Sequence, residues 1–275
     1  MNRSVKPKVR IFLVGCPRSG TTLLQSLLAA HPQIASFPEA HFFRHLLGGR
    51  KPWQSRLRMA SPTARDRFLQ FLEEVGHPEM KHYLPPYAIF TLQYVWAFLN
   101  VLDDLTLQEG KNIWLEKTPS NLHYISYIEK RVPNAKFIHI IRNGSDVVAS
   151  LYEVTHKYPE IWSGAWDIDR CIQQWVKDVK LSRKYVNQPN HILVSYEDLV
   201  NQTQENLEKL CDFIGISFNL IMIQNHGEAA QKLITEYEPW KASVNQKVDA
   251  NRESKFNKIF NENQQDYILK QLSNC

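Results

Sequence analysis

The chain has 275 residues, of which 43% are hydrophobic and 22% are charged, with a formal net charge of +5 at pH 7. This length supports a substantial buried core, and the composition excludes a disordered or fibrous chain. Residues 1–10 carry four basic side chains and no acidic one, so the rest of the chain is almost neutral. A broad nucleic-acid-binding surface is therefore disfavoured, and residues 1–8 are predicted to form a flexible basic tail.

The spacing of the cysteines and the lengths of the apolar runs indicate a cytoplasmic protein. The cysteines lie far apart in the chain, at Cys16, Cys171, Cys211 and Cys275. Without a Cys-x-x-Cys pair, a disulfide framework and a zinc site are both disfavoured, and reduced thiols fit the cytoplasm. Residues 11–14 are too short an apolar run for a signal peptide, and residues 88–102 fall short of the ~20 needed to cross a bilayer. We expect a cytoplasmic protein without a transmembrane segment, in which residues 88–102 form a buried helix.

Strands that alternate with helices predict the fold class. Residues 11–14 (IFLV) read as a buried strand that ends at Gly15, and leucines at helical spacing follow until Pro32. Further strands are predicted near residues 112–119, 135–141 and 191–196, and further helices at residues 124–132, 145–152 and 167–185. This order predicts an α/β protein with a P-loop-type, mainly parallel sheet flanked by helices.

Residues 40–111 lack a convincing buried strand and are rich in aromatic side chains. We expect them to form a helical insertion after the first strand–helix unit, within a single domain that spans residues 1–275. The insertion is predicted to cover one end of the sheet, on the side where a substrate would bind. Its aromatic residues either form a core or line a substrate pocket, since aromatic rings stack on sugars and phenols alike.

The segment GCPRSGTT (residues 15–22) joins the first strand to the first helix. A glycine-bounded loop at a helix N-terminus presents backbone N–H groups to an anion. The G-x-x-x-x-G spacing is that of ATP-binding phosphate loops, but Thr21 and Thr22 stand where those loops carry Lys and Ser or Thr. The positive charge lies inside the loop instead, at Arg18. An ordinary strand–helix turn and an ATP loop with a substituted lysine are the alternatives.

Arg142 follows the predicted strand 135–141, where a nucleotide triphosphatase often carries an acidic magnesium ligand, and Ser150 comes eight residues later. A guanidinium and a hydroxyl suit a phosphate group, not a metal ion. The sequence therefore predicts a second phosphate contact and no metal site. A purely structural salt bridge of Arg142 is the alternative.

These motifs resemble those of the sulfotransferases that use 3′-phosphoadenosine-5′-phosphosulfate (PAPS). GCPRSGTTLLQSLLAAHP (residues 15–32) is especially similar to the tyrosylprotein sulfotransferases, and LVSYEDLV (residues 193–200) adds to the resemblance. LEKTP (residues 115–119) and VDANRESKF (residues 248–256) are weaker matches. The resemblance implies PAPS as co-substrate, 3′,5′-adenosine bisphosphate (PAP) as product, and no metal. It does not extend over residues 42–110.

The resemblance also implies which residues contact the nucleotide. Those expected at the 5′-phosphosulfate are Arg18, Ser19, Gly20, Thr21 and Thr22, and those expected at the 3′-phosphate are Arg142 and Ser150. The other expected contacts are Tyr196, Ser243, Ser254 and Lys255. Val154 stands where the tyrosylprotein branch has a further arginine, for which His156 or Lys157 could substitute.

Sulfuryl transfer needs a base for the acceptor proton, positive charge near the leaving oxygen, and in-line positioning. Glu39 is placed like the catalytic glutamate of the tyrosylprotein branch and is the expected base, with His41 as an alternative base and a merely capping role for Glu39 as the other alternative. Arg18 and Lys117 are expected to stabilise developing charge. The cytosolic sulfotransferases have a catalytic His two residues after this lysine, where Pro119 stands here, and this departure supports Glu39.

The expected function is in-line transfer of a sulfuryl group from PAPS to an acceptor hydroxyl or amine. A P-loop ATP- or GTP-dependent kinase and a non-catalytic adenine-nucleotide-binding protein are the alternative functions. The acceptor stays open between a small molecule, a carbohydrate and a peptide, and a homodimer is an open alternative to a monomer. No nucleic acid partner is expected.

Overall fold

The computed structural model describes residues 7–233 and 255–273. Its strands are β1 (Val9–Gly15), β2 (Ile34–Ser36), β3 (Ile113–Lys117), β4 (Ala135–Ile141) and β5 (His191–Ser195). Within these residues they form a five-stranded sheet in the order β2-β3-β1-β4-β5, and every neighbouring pair is parallel. The predicted α/β fold with a parallel sheet flanked by helices is confirmed.

Helices connect the strands and cover both faces of the sheet. The helices before β3 are α1 (Thr21–Ala29), α2 (Phe42–Leu47), α3 (Pro52–Arg56), α4 (Ala64–Glu74) and α5 (Thr91–Gln108). Those between β3 and β5 are α6 (Ile125–Glu129), α7 (Gly144–Lys157), α8 (Pro159–Trp162) and α9 (Ile168–Tyr185). Those after β5 are α10 (Tyr196–Asn201), α11 (Thr203–Ile214), α12 (Ile221–Gln224), α13 (His226–Leu233), α14 (Lys255–Ile259) and α15 (Glu262–Ser273). The 3₁₀ helices are Pro78–Tyr83 and Pro119–Tyr124.

The sheet separates two cores because strand side chains alternate between its faces. On one face, the Phe12 ring of β1 lies 5.3 Å from the Trp114 ring of β3 and 5.5 Å from the Phe137 ring of β4. On the other face, Ile11 and Leu13 pack among leucines of α1 and α11. All five side chains are fully buried, which accounts for the continuous apolar run in β1.

The predicted helical insertion consists of α2 to α5, with a 3₁₀ helix between α4 and α5. Its rings pack on the face that carries Phe12: Phe42 stacks on Phe98 at 4.1 Å, and Phe71 lies 5.5 Å from Phe98. The insertion therefore packs on a face of the sheet, because a sheet apolar on both faces needs a packed layer on each of them. Its placement over an end of the sheet, on the acceptor side, stays a prediction.

Side-chain capping explains two of the element boundaries that differ from the predicted ones. α5 begins at Thr91, three residues later than predicted, because Gln93 Oε1 accepts the backbone N–H of Phe90 at 2.9 Å. β5 ends at Ser195, whose hydroxyl caps the N-terminus of α10, so Tyr196 is the first residue of a helix. Within the part of the chain that the structure describes, no helix combines the length and the apolar character that a membrane span needs.

Candidate active site

The carboxyl ends of β1, β3 and β4 lie side by side. Parallel pairing places Leu13 of β1 opposite Lys117 of β3, and Gly15 of β1 opposite Ile140 of β4. The segments that follow these three strands carry the three predicted motifs. Ligands of open α/β sheets bind at this edge, so the strand order by itself brings the motifs together.

The phosphate loop, residues 15–20, requires glycine at both ends. A Cβ atom at Gly15 would lie 2.4 Å from a carbonyl oxygen of β4, and one at Gly20 would lie 2.3 Å from the Tyr196 ring. Gly20 has a φ of 93° and Arg18 a φ of 72°, so both adopt the left-handed region. Alternation of ordinary and left-handed backbone is what builds an anion-binding concavity of N–H groups.

Ser19 and the first turn of α1 add donors to this loop. Ser19 is fully buried, and its hydroxyl has no hydrogen-bond partner among residues 7–233 and 255–273. α1 starts with Thr21 and Thr22 and carries no acidic residue in its first turn. A buried hydroxyl without a partner costs about 1–3 kcal/mol, and an anion at this helix N-terminus would satisfy it.

Arg18 and Ser150 connect the phosphate loop to the helix after β4. The Arg18 Nε donates to Ser150 Oγ at 3.1 Å. Ser150 lies in the middle of α7 and is buried. The residues expected at the two ends of the nucleotide are therefore in direct contact with each other.

Arg142 lies between β4 and α7 and packs on Tyr196. Its Cζ is 4.4 Å from the centre of the Tyr196 ring, and the same ring lies against Gly20. Arg142 Nη2 also donates to Asp146 Oδ2 at 3.2 Å, so the structural salt bridge considered as an alternative is present as well. Its Nε is buried and has no hydrogen-bond partner among the described residues, which leaves one charged donor for a phosphate oxygen.

Glu39, Lys117 and His41 form a second cluster at the same edge of the sheet. Glu39 Oε1 accepts from Lys117 Nζ, and Glu39 Oε2 lies 3.5 Å from His41 Nε2. The side chains of Lys117 and Glu39 are 1% and 12% exposed, so the pair is largely removed from water. The structure brings together the expected base, its alternative and one of the two expected electrostatic catalysts.

The base loop, residues 36–41, carries Glu39 and is held partly by residues that sequence reasoning missed. Arg67 of α4 donates to the backbone carbonyls of Glu39 at 2.9 Å and of Ala40 at 2.6 Å. Gln25 of α1 donates to the base loop as well. No motif marks Arg67 or Gln25, because each acts on a segment that is distant in sequence.

Two residues of the LEKTP motif also bind the base loop. Glu116 Oε1 accepts the Ala40 N–H at 3.3 Å, and Thr118 Oγ1 accepts the His41 N–H at 3.2 Å. Burial raises the pKa of Glu116 to about 7. Sequence reasoning assigned these two residues no role, and their place on either side of Lys117 was the available signal.

The remaining expected residues lie nearer the C-terminus. Ser243 and Ser254 are outside the described residues. Lys255 is the first residue of α14, and its ammonium pairs with Glu153 of α7, three residues after Ser150.

His156 and Lys157, which were considered as substitutes for the missing arginine, lie against the rings of Tyr152 and Tyr158, respectively. No group of three or more His, Cys, Asp or Glu side chains suited to a metal ion occurs in residues 7–233 and 255–273.

A profile of the sulfotransferase family matches residues 10–219. The chain belongs to the sulfotransferase family. The match includes the phosphate loop, the base loop and the segment from Arg142 to Ser150, which are the parts that meet at the edge of the sheet. It favours the expected function over an ATP- or GTP-dependent kinase.

Curated relatives confirm the predicted similarity to the tyrosylprotein branch. The chain is 25% identical over 212 residues to the protein-tyrosine sulfotransferase of Drosophila melanogaster. This alignment covers 76% of the chain but only 38% of the fly protein. The chain therefore spans less than half of the length of that relative.

Solved structures confirm the fold. The sulfotransferase domain from the curacin biosynthetic pathway aligns with a TM-score of 0.62 and 21% identity, over 97% of this chain and 98% of that domain. The mouse sulfotransferase SULT7A1, complexed with PAP, aligns with a TM-score of 0.57 and 13% identity, over 97% of this chain and 84% of the mouse chain. The sulfotransferase fold thus extends over nearly the whole chain.

Proposed function

We propose that this protein is a PAPS-dependent sulfotransferase that transfers a sulfuryl group to an acceptor hydroxyl or amine. One observation carries the proposal: a phosphate loop without a lysine is bonded through Arg18 and Ser150 to the helix that follows Arg142. An ATP site of this fold would have a lysine after the loop and an acidic magnesium ligand after a neighbouring strand. Here, both positions lack the group that a nucleoside triphosphate needs.

The residues present fit a nucleotide with an anion at each end. Two buried donors, the Ser19 hydroxyl and Arg142 Nε, have no partner in the described part of the chain, and a sulfate or phosphate oxygen would satisfy each. The loop from Arg18 to Thr22 would hold the 5′-phosphosulfate, and Arg142 with Ser150 the 3′-phosphate. The relative SULT7A1 is complexed with PAP, which supports the same ligand here.

The cluster around Glu39 supports the chemistry. PAPS supplies an activated sulfuryl group and leaves as PAP. The Glu39 carboxylate, which accepts a hydrogen bond from Lys117, would take the proton of the acceptor group. An ionised carboxylate carries no proton of its own and can therefore act as the base. The Lys117 ammonium and the Arg18 guanidinium would offset the negative charge that develops on the transferred and leaving oxygens.

Ligand-dependent thermal stability tests this function against its alternatives. We expect PAP to raise the unfolding temperature without magnesium, and labelled sulfate to move from PAPS to an acceptor. Stabilisation only by ATP with magnesium would contradict the proposal and favour a kinase. Stabilisation by PAP with no transfer to any member of a broad acceptor panel would favour a non-catalytic nucleotide-binding protein.

A peptide tyrosine is the first acceptor to test. The fly relative is named a protein-tyrosine sulfotransferase, and a phenol is an acceptor that stacks on aromatic rings. The insertion, which we propose as the acceptor side, exposes several large rings, at Trp53, Tyr87, Phe90 and Trp96. Transfer from labelled PAPS to tyrosine peptides, phenols and carbohydrates should be compared, and transfer to carbohydrate alone would contradict a peptide acceptor.

A cytoplasmic location is part of the same proposal. Three buried cysteines are free thiols, namely Cys16, Cys171 and Cys211. Burial raises the pKa of the Cys171 thiol to about 12 and that of Cys211 to about 11, so neither is activated for exchange. Free thiols are usual in a reducing compartment. Recovery of the protein from the source cells in an exported or membrane fraction would contradict this location.

A further inference from the structure

A buried acid lies beside the catalytic cluster without belonging to it. Glu116 is the last residue but one of β3, and its residue surface is 1% exposed. It pairs in register with Phe12 of β1 and so shares the face covered by the insertion. Carboxylates are almost never fully buried unless they are paired or hydrogen-bonded, so the bonds that Glu116 makes call for an explanation.

Each of those bonds is donated to the carboxylate. Oε1 accepts the Ala40 N–H at 3.3 Å and the Thr118 hydroxyl, and Oε2 accepts Asn121 Nδ2 at 2.6 Å. The charged groups that face it are Glu39 and Lys117. Glu116 therefore joins the end of β3, the following 3₁₀ helix and the base loop at one point.

Thr118 extends this connection by one residue. Its Oγ1 donates to Glu116 and accepts the His41 N–H at 3.2 Å. His41 has a φ of 47°, a left-handed backbone conformation that is unfavourable for a non-glycine residue. The backbone N–H groups of Ala40 and His41 are thus both bonded to β3 or to the residue that follows it. These bonds hold His41 in a left-handed conformation that the free chain would avoid.

We propose that Glu116 is a positioning residue, which holds the backbone of residues 40–41 on β3 and thereby keeps the Glu39 carboxylate at Lys117. Arg67 donates to the carbonyls of Glu39 and Ala40 in the same loop, so Glu116 and Arg67 together bind both N–H and C=O groups of its backbone. The proposal rests on the proposed function for its catalytic consequence, but its structural part stands without turnover.

The ionisation of Glu116 is consistent with this role. Burial raises its pKa to about 7, the nearby Glu39 carboxylate acts in the same direction, and the bonds from Thr118 and Ala40 and the charge of Lys117 oppose the rise. An acid of this pKa changes charge near neutral pH without losing Oε1 as an acceptor, since a protonated carboxyl keeps acceptor capacity.

Glutamine should replace Glu116 well, and alanine should not. In Glu116→Gln the amide oxygen still accepts from Ala40 and Thr118. Its Nε2 would face Asn121, whose Oδ1 is buried and has no hydrogen-bond partner in the described residues. A turn of the Asn121 amide would present that oxygen. Glu116→Ala removes all three acceptor contacts and releases the base loop.

Amide hydrogen exchange and kinetics together test the proposal. In Glu116→Ala we expect exchange at Ala40 and His41 to rise at least about tenfold and kcat to fall about 10–100-fold, the cost of a misplacement near 1 Å. The affinity for PAP should stay within about twofold, because the phosphate loop keeps its own bonds. Glu116→Gln should restore most of the kcat and of the exchange protection.

Thr118→Val carries the test if Glu116→Ala does not fold. It removes the hydroxyl that holds His41, and Thr106→Val is its matched control, since Thr106 is a buried threonine of α5 that bonds Leu102 O at 2.6 Å. Thr118→Val should increase exchange at His41 and lower kcat, whereas Thr106→Val should change neither. Wild-type exchange and kcat in both Glu116→Ala and Thr118→Val would overturn the proposal. If the wild type itself shows no transfer, the proposed function fails while the exchange result still decides the positioning role.

Discussion

The phosphate loop and the base loop lie at the same edge of the sheet but are held in different ways. The phosphate loop takes its shape mainly from its own residues, because Arg18 and Gly20 adopt the left-handed backbone region and the Ser19 N–H donates to the Cys16 carbonyl at 3.2 Å within the loop. The base loop takes its shape from hydrogen bonds to other elements, chiefly Arg67 of α4 and Glu116 of β3. One loop is built locally, and the other is built by tertiary contacts.

This difference separates nucleotide binding from turnover. Changes in the phosphate loop or its partners on α7 should weaken PAP binding. Changes in the base loop or its supports should lower kcat while nucleotide affinity stays the same. The following substitutions test that separation, beginning with the largest expected effect.

Glu39→Gln should have the largest effect. Its amide cannot take a proton, so kcat should fall about 10²–10⁴-fold, while the PAP dissociation constant from calorimetry should stay unchanged. Glu129→Gln is the control, because Glu129 contacts His191 at 3.1 Å at the amino end of β5 and should retain full activity. Turnover of Glu39→Gln within a few fold of the wild type would remove Glu39 from the mechanism.

Glu116→Gln should change the pH dependence of stability. The pKa of Glu116 is raised by burial from 4.5 to about 7 in the folded protein, so the folded state binds this proton more tightly than the unfolded state. Its contribution to stability is present below pH 4.5 and is lost as the pH rises through 7, by up to about 3 kcal/mol. The glutamine variant lacks this loss.

Denaturant unfolding at pH 5.5 and pH 8 measures the effect. The stability of Glu116→Gln relative to the wild type should increase between these values, because only the wild type ionises at this position. Other titrating groups, such as the buried His139, occur in both proteins and cancel in the difference. An equal difference at both pH values would contradict the raised pKa.

Arg142→Ala should weaken the binding of PAP by about 1.5–3 kcal/mol, the strength of a charged hydrogen bond. Adenosine 5′-monophosphate, which lacks the 3′-phosphate, should bind almost as before. Arg131→Ala is the matched control, since Arg131 also lies over a tyrosine ring, Tyr127 at 6.0 Å, but precedes the amino end of β4. Equal losses for both nucleotides would refute the 3′-phosphate assignment.

Ser150→Ala should have the smallest effect. It removes the acceptor of the Arg18 Nε and one hydroxyl from the nucleotide site, for a loss of about 1 kcal/mol in PAP affinity. Thr155→Val removes another hydroxyl of α7, one that accepts from the Trp166 backbone at 3.1 Å, and should leave PAP binding unchanged. A similar loss in both variants would mean that α7 is perturbed as a whole.

Sequence patterns predicted the parallel α/β fold because apolar runs, glycines and prolines act on their immediate neighbours in the chain. The same patterns placed α5 three residues too early, since they do not show that Gln93 caps its own helix. They did not show which face of the sheet the insertion packs on. That face depends on the alternation of Phe12 and its neighbours across three strands, and no short segment contains that information.

By itself, the sequence determined the phosphate loop and the cations Arg18 and Arg142, because each lies beside a recognisable strand end. The resemblance to the tyrosylprotein sulfotransferases added Glu39 as the expected base. Only the tertiary structure decided how Glu39 is held. The bonds from Arg67 and from Glu116 to the base loop join residues 28 and 76 positions apart. Contacts of that separation follow from the order of β2, β3 and β1 in the sheet and from the layer packed upon it, and local sequence patterns do not contain that order.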